Sequence, residues 1–262
     1  SVGAHTVVVP LAPAASLTLS AAAGASLTLG GPVSGTAGLV KQGSGEAVLT
    51  AANTYAGGTT IQGGYLALQG SAASLGSGAV SITSSGSRLR SVGAEPVTVS
   101  NTVVIAASGA ALDAIAPMTF LGTLDWAAGQ QNMYKYGTGE LTFKGTVNET
   151  GAYFLNLRTG TFRAAEGANI AINAASRETL RMTEGTSVAR TFIVETGAVV
   201  VAGGVMTGSG PSNTVYVNGG SLTFTGSGVG GESGLIRTVE DVNGADRFIV
   251  DAGALTFSDD DW

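Results

Sequence analysis

Gly24-Ala25-Ser26-Leu27-Thr28-Leu29 is a glycine, two small residues, and then apolar positions that alternate with polar ones. The same phrase returns as Gly64-Tyr65-Leu66-Ala67-Leu68, Gly139-Glu140-Leu141-Thr142-Phe143 and Gly197-Ala198-Val199-Val200-Val201, and then as Gly220-Ser221-Leu222-Thr223-Phe224 and Gly253-Ala254-Leu255-Thr256-Phe257. Alternation with period two sends successive side chains to opposite faces of a strand, and the glycine before it supplies a turn. A phrase that recurs many times over 262 residues describes similar coils stacked on one another rather than one irregular globule.

The spacing of the phrase gives the size of a coil. Gly24, Gly45 and Gly64 are separated by 21 and 19 residues, Gly197 and Gly220 by 23, and Gly220 and Gly253 by 33, a coil plus an insertion. A period near 20 suits three short strands and three corners. Three late copies extend the phrase upstream, at Phe192–Gly197, Val215–Gly220 and Phe248–Gly253, each reading as strand, two-residue corner, glycine, strand. The expectation is an all-β chain wound as a single-stranded right-handed parallel β-helix (β-solenoid) of about 12–13 coils, on the order of 60 Å long. Ser176–Met182 is the one segment that also suits a helical turn, although it alternates as a strand. Nothing in the composition divides the chain, so residues 1–262 read as one domain. Residues 1–15, where Pro10 and Pro13 interrupt Thr6–Val9, form an N-terminal cap or first coil, and residues 232–262 form acidic C-terminal coils.

Composition narrows the partners. Gly is 41 of 262 residues without a triplet period, which excludes collagen, and charged residues are only 11%. There is no Cys, so neither disulfides nor thiolate metal sites exist. The net charge of −6 lies wholly from Glu232 onward, where eight acids face Arg237 and Arg247, while residues 1–231 balance at ten against ten. That balance offers nucleic acid no basic field, and no nucleic-acid partner is expected. No apolar run reaches the ~18 residues of a membrane helix, and Ser1–His5 lacks the basic and apolar regions of a signal peptide.

Candidate chemistry is sparse. His5 is the only histidine and reads as a surface residue. Gly226-Ser227-Gly228-Val229-Gly230-Gly231 fits a dinucleotide-type glycine pattern, but Glu232-Ser233-Gly234 follows where a helix should open, so it reads as a loop. Glu240, Asp241, Asp246 and Asp251, with Arg237 and Arg247, are the only carboxylates with the makings of a glycan-cleaving pair or a weak Ca²⁺ loop, and corner acids on a solvated face are the plainer reading. Asp259-Asp260-Asp261 reads as charge that protects the open edge of the last coil. No catalytic, cofactor-binding or metal residue is assigned, and no enzyme activity is expected.

Residues 39–68 contain Leu39-Val40-Lys41-Gln42-Gly43-Ser44-Gly45, Asn53-Thr54-Tyr55-Ala56-Gly57-Gly58-Thr59-Thr60-Ile61 and Gly63-Gly64-Tyr65-Leu66. This stretch resembles the passenger-associated repeat of bacterial autotransporters, with Ala51 and Ala56 as departures where the family more often has Gly and Thr. A worn second copy begins at Lys135-Tyr136-Gly137-Thr138-Gly139 and runs through Asn148 to Gly160-Thr161-Phe162. The resemblance implies a β-helix outside the cell, extracellular or on the outer surface of a Gram-negative-type bacterium. No strands like those of the family's membrane barrel occur before Trp262, so the chain reads as a passenger segment or as the same fold used without the barrel. The functions that follow are a structural or adhesive rod that meets a host or neighbouring-cell surface or glycan, then a filament or matrix subunit that self-associates through its β-helix ends, and last a polysaccharide-active enzyme.

Overall fold

A computed structural model describes residues 3–126, 132–149, 155–172, 180–182, 189–203, 205–207, 213–225, 236–238 and 247–257. These residues are all-β, without a helix, and every strand pairing among them is parallel. The strands stack into three ladders, so each coil has three faces. The first face starts at Ala4–Val7 and holds eleven strands, ending at Ile236–Thr238. The second holds strands from Val97–Val99 onward, and the third runs from Leu17–Ser20. The second and third ladders join through Thr214–Phe224 and Arg247–Phe257, which run unbroken around the corner between them with register shifts at the bend. Two of the three late copies, Val215–Gly220 and Phe248–Gly253, therefore run on where a corner between two strands is expected, whereas Phe192–Gly197 does separate Arg190–Glu195 from Val199–Ala202.

The coil count is smaller than expected. Rungs on the first face fall at Ala4, Ser26, Glu46, Tyr65, Arg88, Ala111, Tyr134, Asn156, Arg181, Met206 and Arg237, steps of 19 to 31 residues. The period near 20 came from the shortest coils, and the later ones carry longer corners. Eleven rungs at ~4.8 Å make a described rod roughly 50 Å long rather than 60 Å. Within residues 1–15, Ala4–Val7 is already a rung, as the first-coil alternative has it, and Leu11 bridges Val33 on the second side. Of the ambiguous segment Ser176–Met182, Leu180–Met182 is a strand and the rest lies outside the described residues.

The core is a set of aligned ladders, because parallel stacking places the same phase of each coil above the last. Val80, Val103, Leu124, Val147, Ile170, Val200 and Leu222 form one such column on the third face, all buried. On the second face the rings of Phe120 and Phe143 stack at 5.0 Å and those of Phe162 and Phe192 at 5.3 Å. Stacked aromatics add to the area each ring removes from water.

The repeat at 39–68 lies in the part of the solenoid, before Val97, in which the second face has no strand. In its place an arc carries Asn53 and Tyr55. Asn53 accepts from the Val33 backbone N–H at 2.8 Å and donates to the carbonyls of Ser74 (2.7 Å) and Ala51 (3.1 Å), so one buried amide ties three consecutive coils. Tyr55 is buried, with its hydroxyl 2.6 Å from Thr59 Oγ1. An irregular arc leaves backbone groups that a ladder would have paired, and the asparagine side chain supplies both the acceptor and the donors they need.

Candidate functional site: two buried lysine clasps, an arginine–tyrosine face and a corner groove

Two lysines sit where leucines and isoleucines are expected. Lys41 lies in the inward column between Leu19 and Ile61, and Lys135 between Leu112 and Leu157; both are fully buried. Each aliphatic stem packs in its ladder while the ammonium turns into the adjoining corner. Lys41 donates to the carbonyls of Gln42 (2.7 Å), Gly43 (2.8 Å) and Gly63 (3.0 Å), and Lys135 to those of Gly137 (2.6 Å), Gly139 (2.6 Å) and Thr159 (2.9 Å). In both cases the ammonium holds its own corner to the next one along the rod. Gly43 has φ of 72°, and a Cβ there would run into the carbonyl of Ala21, so the corner requires glycine. Burial pushes both ammonium groups down to about 8, against the pull of Glu46 on Lys41 and of Asp113 and Glu140 on Lys135, so both stay charged at neutral pH. The two copies of Lys-x-Gly-x-Gly differ in phase. Lys41 closes the corner from the third face to the first, whereas Lys135 closes the corner from the first to the second. The second copy is therefore the same local clasp rotated by one face, and not a coil-for-coil repetition.

The outer side of the first face carries a layer of planar side chains. Alternation puts Tyr65, Arg88, Ala111, Tyr134, Asn156 and Arg181 in one outward column, with Ala67, Arg90, Asp113 and Tyr136 beside it. The Arg90 guanidinium lies 3.8 Å above the Tyr65 ring and pairs with Asp113 (2.8 Å) and Glu46 (2.9 Å). Arg88 lies 3.8 Å above Tyr136 and 3.3 Å from Asp113, and Arg158 lies 4.7 Å above Tyr134. The arms cover Ala67, Ala111 and Asp113, which are buried although they point away from the core. Burial works against the charge of Arg90, and the two carboxylates outweigh it, holding its pKa above the usual guanidinium value. Asn156 is 3% exposed and its Oδ1 has no hydrogen-bond partner.

A second polar feature lies where the second face turns into the third. A groove of about 350 Å³ is lined by Lys144, Ala165, Glu166, Glu195, Thr196 and Asn218. Arg163 beside it grips Glu140 with two bonds of 2.8 Å and also pairs with Glu195. Hydrogen bonding from Arg163 holds the Glu140 carboxyl below its usual 4.5, so the stability it contributes is present above that pH and is lost as pH falls below it. Glu140→Gln is expected to cost at most about 1 kcal/mol at pH 7, since the pair is partly solvated. Urea unfolding at pH 7 and pH 3 checks this, because the penalty should shrink as pH falls; an equal penalty at both contradicts it.

Among the described residues, those singled out in the sequence do not come together. His5 is exposed on the first strand. Asp251 is exposed on Arg247–Phe257, where it accepts from the Tyr216 hydroxyl at 3.0 Å, and Arg247 is exposed at the start of that strand. Arg237 lies in Ile236–Thr238, whereas Gly226–Gly231, Glu240, Asp241, Asp246 and Asp259–Asp261 lie outside the described residues. Among the described residues no group of three or more His, Asp or Glu could hold a metal ion. No helix there is long and apolar enough to cross a membrane. The lysine clasps and the arginine–tyrosine layer were missed. Their only advance signal was polar residues breaking the apolar alternation at Lys41 and Lys135, and Tyr and Arg recurring at matched phase.

The described residues thus form a long parallel β-solenoid with glycine corners, asparagine and lysine clasps and a decorated outer face. Residues 39–68 match the passenger-associated-transport-repeat family, and that repeat together with the solenoid around it fits an autotransporter passenger β-helix. Comparison with curated proteins and with solved structures gives no match.

Proposed function

We propose that this chain is a non-enzymatic structural and adhesive rod displayed outside a Gram-negative bacterium, meeting its partner through the first face. The repeat family is associated with a secreted or surface location in such bacteria. The observation that carries the reading is the outer layer of Tyr65, Arg88, Arg90, Tyr134 and Tyr136, which runs over successive coils of a rod held by buried clasps. Aromatic and arginine side chains with few remaining degrees of freedom are the groups that interfaces use most.

Beads coated with the purified protein, mixed with epithelial cells and with bacteria, give the test. Retention above that of beads carrying an unrelated β-helix is expected. No retention on either cell type removes adhesion and leaves a purely structural rod. Incubation with acidic polysaccharides should release no new reducing or unsaturated ends; their appearance overturns the non-enzymatic reading.

A further inference from the structure

We propose that the groove at the corner between the second and third faces binds an uncharged saccharide, through Lys144, Glu166, Thr196 and Asn218. The groove lies away from the first face, so this inference goes beyond the adhesive reading and stands or falls without it.

Stacking assembles the site. Phe143 lies over Ala164, Ala164 over Val194 and Val194 over Val217, so the residues just after them reach the same corner on four successive coils. Lys144, Glu166, Thr196 and Asn218 all line the groove, one from each of these coils. Three steps of ~4.8 Å string them over roughly 14 Å. The corner stays open because two of the coils turn it on glycine. A Cβ added at Gly219 would fall inside the Thr196 hydroxyl, and one at Gly197 would stand 3.1 Å from Glu166 Cγ. Arg163 pins Glu140 and Glu195 beside the groove, so that wall is set before a ligand arrives. The volume of about 350 Å³ falls within the roughly 300–1,000 Å³ of small-ligand clefts.

The chemistry of the lining selects the ligand. Of the six lining side chains only Ala165 is apolar, so an apolar ligand has little to bury against. The side chains of Lys144, Glu166, Thr196 and Asn218 make no hydrogen bond to any described residue. Together they offer an ammonium donor, a carboxylate acceptor, and a hydroxyl and an amide that both donate and accept. A sugar hydroxyl also donates and accepts, so neighbouring hydroxyls on one ring satisfy such a mixture. Charge argues against ions. Lys144 offsets Glu166, and Arg163 is shared by Glu140 and Glu195, which leaves no positive excess to hold an anion. The Lys144 ammonium in the same lining works against a bound cation.

The experiment uses the whole chain with maltotriose, cellotriose and lactose as probes, read by saturation-transfer NMR, titration calorimetry and hydrogen exchange. At least one probe is expected to bind with a Kd on the order of 1 mM or below, unchanged by added salt. New amide protection is expected over residues 163–168 and 194–198. Glu166→Ala combined with Asn218→Ala should weaken binding tenfold or more. Gln62→Ala combined with Glu95→Ala, which removes an exposed amide and an exposed carboxylate on earlier coils, should leave it within twofold. If the first pair fails to fold, the exchange map on the unaltered protein still decides the location. No binding of any probe, equal loss in both pairs, or protection confined to another face overturns the proposal. Galacturonate bound more tightly than the neutral probes, with an affinity that falls with salt, overturns it in favour of an anion site. Glycine bound where no sugar binds overturns it in favour of a zwitterion site. Cell retention on beads carrying the Glu166→Ala, Asn218→Ala protein should equal that of the parent, and its loss would overturn the separation of the groove from the adhesive face.

Discussion

Lys135→Met is expected to destabilise the protein by roughly 3 kcal/mol, although methionine fills much the same volume in the leucine ladder. The ammonium donates to the carbonyls of Gly137, Gly139 and Thr159 at 2.6–2.9 Å, and a thioether donates to none of them. A buried acceptor left without its donor costs about 1–3 kcal/mol, and the sum is partly offset because a buried charge no longer has to be desolvated. Relief of desolvation cannot win if the clasp is what holds neighbouring corners in register. Lys144→Met, on an exposed side chain, is the control and should change stability by less than about 0.5 kcal/mol. Urea unfolding of both variants makes the comparison, with hydrogen exchange reporting whether the loss begins around Gly137–Gly139. A Lys135→Met protein as stable as the parent would show that these lysines are tolerated passengers in the core.

Gly145→Ala is the other substitution expected to be severe, at about 3 kcal/mol or more. Gly145 sits in the corner between Glu140–Phe143 and Thr146–Glu149. A Cβ on it would fall inside the carbonyl of Gly122 and lie 2.8 Å from that residue's carbonyl carbon and 3.0 Å from the oxygen of Leu121. All three atoms are backbone of the adjacent coil, so no rotamer change relieves the overlap and the corner has to open against the strands that flank it. Overpacking of this kind costs typically 1–3 kcal/mol where side chains can give way, and here they cannot. Gly70→Ala separates crowding from dihedral strain: Gly70 has φ of 90° but nothing within 4 Å of an added Cβ, so about 1–2 kcal/mol is expected. Thermal unfolding of both proteins decides the point, and equal losses would mean that close approach between coils is not what selects glycine at position 145.

Much of the fold was legible because a solenoid repeats its local instructions. Leu27, Ala47, Leu66, Leu89 and Leu112 could be read as inward residues from alternation alone, and they form one buried or half-buried column on the first face. The coil count was not legible to the same degree, because corner length varies without changing the strand phrase, and ladders fix which residues face each other only once coils are stacked. The second copy of the repeat shows the same limit. Lys-x-Gly-x-Gly is a local signal, so it marks a clasp at both Lys41 and Lys135, but it carries no information about which corner of the coil it occupies.

The candidate site was the least legible part. Glu46, Tyr65, Arg88, Arg90, Asp113 and Tyr136 are spread over 91 residues, and no pairwise spacing among them resembles a motif. Only the parallel register brings Arg90 to both Glu46 and Asp113.

The sequence by itself determined the strand period, the glycine corners, the stacked architecture and the kinship of residues 39–68, because each of these is set within a coil by alternation and turn chemistry. The tertiary structure alone decided the number of coils, the phase of each clasp and the make-up of the outer faces. Those depend on which residue of one coil lies over which residue of the next, and that register is set by backbone pairing between segments some twenty residues apart.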